Sequence, residues 1–145
     1  MGKVMVHIKL TNYEDLAQAR RGLLDATRVR RIELDALVDT GATTLALPAD
    51  ACAALGLPET GRRRARMADG RVEELGRVEG VRIEILGRDM LCNALVLPAG
   101  ATALVGQIPL EELDLVVDPK SREVTVNPAS PDEPLLDLLR AQAAA

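Results

Sequence analysis

RIELDALVDTGATTLALPADACAALGL, residues Arg31 to Leu57, is the stretch on which the reading of the whole chain depends. Ile32, Leu34, Ala36 and Val38 alternate with Glu33, Asp35 and Leu37, the period of two expected of a strand with one buried face. The strand stops at Asp39-Thr40-Gly41-Ala42, which places a carboxylate in a tight loop whose backbone donors can hold it. Leu45-Ala46-Leu47 then reads as a short buried strand. Pro48 suits a first helical position, Ala49 to Leu55 reads as helix, and Gly56 is the stop signal.

Upstream, Val4, Val6, Ile8 and Leu10 share one face of a first strand that ends at Thr11-Asn12. That alternation predicts a strand, not a signal peptide or a membrane span. Asn12 to Leu24 carries two readings, a short helix capped by Asn12 or a loop ending at Gly22. The strand into the acidic loop starts from Arg28. Downstream, strand-like runs at Arg64–Ala68 and Arg71–Val78 flank Ala68-Asp69-Gly70, a hairpin signal. Val81, Ile83 and Ile85 alternate up to a turn at Gly87-Arg88, and Met90 to Leu97 returns. Ala103-Leu104-Val105-Gly106 is an apolar run ending in Gly, and Pro109 with Glu111 and Glu112 marks a helix start. Leu115 to Asp118 and Glu123 to Asn127 form a last hairpin. GATTLALP at 41–48 and GATALVGQIP at 100–109 echo one another, but only the first follows an Asp.

Composition narrows the function. The 145 residues make one domain of ordinary size, without room for a second catalytic lobe, and carry a net charge of −4 with 1% aromatic residues and no Phe or Trp. Aromatic stacking on bases is thereby excluded, and the basic excess of a nucleic-acid binder is missing, so no nucleic-acid partner is expected. Arg62-Arg63-Arg64 with Arg66 reads as a solvated loop leading into a strand rather than a phosphate site. His7, the single histidine, reads as a surface residue, which argues against multi-histidine zinc sites and a Ser-His-Asp triad. Cys52 and Cys92 have no CxxC spacing and read as reduced thiols of a cytoplasmic protein. No P-loop or GxGxxG is present; no cofactor, metal or membrane partner is expected.

The sequence Val38-Asp39-Thr40-Gly41-Ala42, followed by the 68–70 hairpin, the second hairpin, the Leu104-Val105-Gly106 strand with its helix and the terminal hairpin, resembles the retropepsin-like aspartic proteases over about residues 30–127. The resemblance implies a mainly β fold, a closed β-barrel or acid-protease half-fold with one or two short helices over residues 1–127. Residues 128–145 would be a Pro-rich linker and short tail, with a helix over 135–143 as one reading. It implies a homodimeric aspartic endopeptidase acting on peptides or unfolded protein segments, in which Asp39 of each subunit shares one catalytic water. Thr40 would brace the loops across the dimer axis, Gly41 would admit the substrate backbone, and Ala42 would line the cleft. Ala68, Asp69 and Gly70 would form the flap over bound peptide, and Leu104, Val105 and Gly106 the second-half loop, with Gly106 near Gly41. Retroviral members pair an acidic residue after the first motif with an Arg after the second; Thr43 and Gln107 occupy those places here, and the flap lacks a glycine-rich tip. The competing expectation is a non-cleaving peptide-binding or dimerisation module on the same fold.

Overall fold

The computed structural model describes residues 3–138. Nine strands and three short helices follow one another as β1 (Met5–Asn12), α1 (Tyr13–Arg20), β2 (Arg31–Val38), β3 (Leu45–Pro48), α2 (Ala49–Ala54), β4 (Glu59–Arg66), β5 (Val72–Ile85), β6 (Arg88–Leu97), β7 (Ala103–Val105), α3 (Gln107–Glu112), β8 (Leu115–Asp118) and β9 (Glu123–Val126). Six strands run in the order β1-β2-β7-β3-β6-β5, and β1 pairs again with β5 to close the barrel. This is the mainly β, retropepsin-like architecture that the resemblance implies. β4 extends the sheet outside the barrel, and β8 and β9 form a separate hairpin.

The barrel interior is aliphatic. Ile8, Leu10, Leu45, Leu47, Val81, Ile83, Ile85 and Val105 are wholly buried, and the alternation visible in β1, β2 and β5 is the alternation between this interior and the outside. His7 does lie outside, on the exposed face of β1, with its ring nitrogens bonded to Glu33 and Asp35 across the β1–β2 pair.

Several local expectations take a more specific form. Asn12 caps a helix: its side chain accepts the Asp15 amide at 3.0 Å and donates to the Leu55 carbonyl at 2.8 Å. Asp15 accepts both the backbone amide and the guanidinium of Arg30, so α1, the end of α2 and the entry to β2 are tied at one corner. The residues before β2 form a 3-10 turn (Ala26–Arg28), and the strand begins at Arg31. Pro48 is the residue before α2, and α3 begins at Gln107, two residues ahead of Pro109. The turn after β5 is Leu86-Gly87, both at positive φ, one residue earlier than read from the sequence. The arginines at 62–66 are on β4 itself, not in a loop leading into a strand.

β5 decides the shape. Its first half pairs with β4 at one side, while Val81 to Glu84 pair with β1 and β6 together. Between the halves the register slips at Val78/Val81, with Gly80 at φ +78°. A bulge bends a strand and increases its twist; here it marks where the projecting hairpin passes into the barrel wall. The tip, Met67 to Arg71, is closed by hydrogen bonds from Gly70 N to Met67 O and from Met67 N to Arg71 O.

After β9, Asn127 and Ser130 return to Asp114, whose carboxylate accepts Asn127 Nδ2, the Ser130 hydroxyl and the Leu135 amide. Arg88, buried at the start of β6, donates to the carbonyls of Leu113, Asp114 and Ser130. Residues 135–138 have no regular structure, and the remainder of the helix read over 135–143 lies outside the described residues.

Candidate active site

Asp39 stands at the carboxyl end of β2, which runs parallel to β7 with Val38 opposite Val105. Its amide continues that ladder by donating to Val105 O at 3.0 Å. The chain then turns sharply: Gly41 N donates to Asp39 Oδ1 at 2.9 Å and Ala42 N to Asp39 O at 3.0 Å. One carboxylate oxygen is therefore held by the loop, and Oδ2 has no hydrogen bond among the described residues. The side chain is partly exposed, and Thr40 and Gly41 are exposed beside it. Such a carboxylate is oriented by backbone yet open toward solvent.

Gly106 supports this loop from behind. A Cβ at Gly106 would lie 2.5 Å from Thr44 O and 2.7 Å from Ala42 O. Its φ of −93° is ordinary, so the demand for Gly comes from space, not from backbone conformation. Gln107 N donates to Ala42 O at 2.8 Å and Ile108 N to Thr43 O at 2.9 Å. These two backbone hydrogen bonds tie the 42–43 segment to the start of α3, and the Gln107 side chain turns to Glu111.

The sequence-predicted residues fall into two groups. Asp39 and Ala42 meet Val105 and Gly106 at one joint, with Thr40 and Gly41 between them in the loop and Leu104 next to Leu37 and Ala46 in the sheet. Gly41 itself is not crowded: a Cβ there would meet only Asp39 Oδ1, at 3.2 Å. Ala68, Asp69 and Gly70 are exposed at the tip of the β4–β5 hairpin, and no hydrogen bond among the described residues links them to the Asp39 loop. Asp69 instead organises its own turn, accepting the Arg71 amide at 3.0 Å and its guanidinium at 2.6 Å.

Arg88 and Asp114 are the structurally important polar residues that sequence reading missed. Arg88 reads from the sequence as part of the Gly87-Arg88 turn, and Asp114 carries no sequence signal of its own. A concavity of about 540 Å³ beside Asp114, lined by Ile108, Leu110, Leu115, Leu135 and Leu136 among others, excludes Asp39. A smaller one of about 220 Å³, around Lys9, Arg31, Glu33 and Arg82, excludes it as well. Among the described residues no group of three or more His, Cys, Asp and Glu is placed to hold a metal ion, and no helix is long and apolar enough to cross a membrane. Burial raises the thiol of Cys92 to about 12 and that of Cys52 in the same direction, so neither is poised as a thiolate nucleophile.

A closed barrel with an Asp-Thr-Gly loop at the end of one strand and an apolar strand ending in Gly beside it defines the retropepsin-like class. Residues 26–112, from the 3-10 turn to the end of α3, match the family described as "gag-polyprotein putative aspartyl protease", and the chain belongs to that family. A search of curated proteins finds no match.

Proposed function

We propose that the protein is a homodimeric aspartic endopeptidase in which Asp39 of two chains activates a single water. The observation that carries this reading is the Asp39 loop itself: a carboxylate with one oxygen fixed by Gly41 N and the other without a hydrogen bond among the described residues, in a chain of the aspartyl protease family with one such Asp-Thr-Gly loop. Amide hydrolysis needs a base for water and an acid for the carbonyl and the departing amine. Two carboxyls brought within a few ångströms share one proton, because two adjacent negative charges are costly. The ionised Asp39 takes a proton from water as its oxygen bonds to the carbonyl carbon, while the protonated Asp39 gives its proton to the carbonyl oxygen. Collapse of the tetrahedral diol breaks the C–N bond: the amine leaves with a proton from one carboxyl while a diol hydroxyl returns its proton to the other, restoring the singly protonated pair. Titration then belongs to the pair, not to either residue.

In the dimer, Thr40 braces the two loops, Ala42 lines the cleft, and the 68–70 tips close over an extended peptide. Partly unfolded protein segments are the substrate class. Asp39→Asn keeps the side-chain shape and the acceptor for Gly41 N but removes the base. Its cleavage of an unstructured protein is expected to fall to background with folding retained, and sedimentation of the wild type at micromolar concentration is expected to give a dimer. Undiminished cleavage by Asp39→Asn would place the chemistry elsewhere. Absence of cleavage by the wild type from acidic to neutral pH, with peptide binding retained in both, would make the protein a binding module.

A further inference from the structure

β4 offers two features that the barrel does not require. Among the described residues it has no second neighbour in the sheet, so alternate residues turn their amide N–H and C=O groups away from β5. It also carries Arg62, Arg63, Arg64 and Arg66 in eight residues. Arg62 is neutralised by Glu74, at 2.6 Å, and Glu59. Arg63, Arg64 and Arg66 are exposed and make no ion pair among the described residues; Arg63 and Arg66 reach only the carbonyls of Arg62 and Gly70. Every acid of the hairpin is already engaged: Glu59 and Glu74 with Arg62, Asp69 and Glu73 with Arg71, Glu79 with Arg77. The positive charge of the edge is therefore available to a partner, on a chain whose net charge is −4.

We infer that the outer edge of β4 receives an extended acidic peptide as an added strand, with Arg64 and Arg66 reading carboxylates at alternate positions. The spacing fits: residues i and i+2 of an antiparallel strand lie roughly 6.8 Å apart on one face, and an added strand repeats the same interval. Arg63 faces the opposite side and meets the intervening positions. A free edge with backbone donors and acceptors suits a peptide better than a nucleic acid, as does the absence of Phe and Trp. The inference deepens the proposed function, resting on the reading of this hairpin as the flap: it makes substrates rich in alternating Asp or Glu the preferred class.

The test uses two unstructured synthetic peptides identical except that alternate positions carry Glu in one and Gln in the other. Binding is measured with the Asp39→Asn variant of the 145-residue chain, so that cleavage does not intervene, and hydrolysis with the wild type. The Glu peptide is expected to bind about three- to tenfold more tightly, as exposed ion pairs allow, with the advantage shrinking at high salt. Arg64→Gln with Arg66→Gln should erase the difference, and Arg64→Glu with Arg66→Glu should reverse it in favour of a Lys-substituted peptide. Equal binding of the Glu and Gln peptides overturns the inference. So does tighter binding of a single-stranded oligonucleotide that depends on the same arginines. Discrimination in binding without hydrolysis by the wild type supports the acidic edge and refutes the protease reading; hydrolysis without discrimination does the reverse.

Discussion

Gly41, in the active-site loop, and Gly106, at the end of the apolar strand beside it, answer to different constraints. A methyl at Gly106 runs into the backbone of Ala42 and Thr44, which cannot swing aside as a side chain can. Gly106→Ala is expected to cost about 1–3 kcal/mol, as over-packing does, seen as a lower urea midpoint. Gly41→Ala meets one carboxylate oxygen at 3.2 Å. It should leave the midpoint nearly unchanged while turning Asp39 and lowering kcat. If Gly41→Ala unfolds the protein and Gly106→Ala does not, the assignment of steric roles is reversed.

At the scale of elements, the return of the chain after β9 depends on Asp114. Hydrogen bonds from Ser130, the Leu135 amide and Asn127 hold its carboxyl down to about 2. A carboxyl depressed in the folded state contributes stability above its ordinary value near about 4, and that contribution is lost as pH falls toward 2. The attachment of residues 127–135 should therefore persist through the mildly acidic range in which a carboxyl pair sharing a proton works. Hydrogen exchange at the Leu135 amide is expected to stay protected from neutral pH down to about 4 and to lose protection below it. Asp114→Ala should remove protection at every pH. His7 behaves oppositely: its bonds to Glu33, then Asp35, raise its pKa, so its support for the β1–β2 pair is complete below about 6.5 and fades as pH rises through the raised value.

For the whole molecule, the central four strands β2-β7-β3-β6 pair in the order parallel, antiparallel, parallel. The two sequence echoes supply the middle pair, with Ala46 opposite Leu104. An approximate local two-fold thus relates the halves, but only one half brings an Asp to its loop. If the proposed second carboxyl comes from another copy, specific activity must depend on association. On dilution below the dimer dissociation constant, activity per chain is expected to fall in proportion to concentration, and a fixed peptide inhibitor concentration should restore dimer on sedimentation. Specific activity that stays constant in a demonstrated monomer would contradict a shared site.

What the sequence by itself determined is whatever depends on neighbours along the chain. Alternation in Val4–Leu10, Ile32–Val38 and Val81–Ile85 marked the strands because a pleat turns successive side chains to opposite sides. Asp39-Thr40-Gly41 marked its loop because a carboxylate can accept the amide two residues on, which Gly41 N bears out. The tertiary structure decided whatever depends on residues far apart. Whether Asn12 opened a helix or a loop hung on Leu55 and Arg30, which its side chain and amide reach from 43 and 18 positions away. Arg88 became a buried clamp only because β6 starts beneath the chain at Leu113 and Asp114. The joining of β5 into one bent strand, and the emergence of four arginines on an open edge, likewise followed from barrel closure. Pairing across the sheet is a property of register, and register is set by the assembled barrel rather than by any single run of residues.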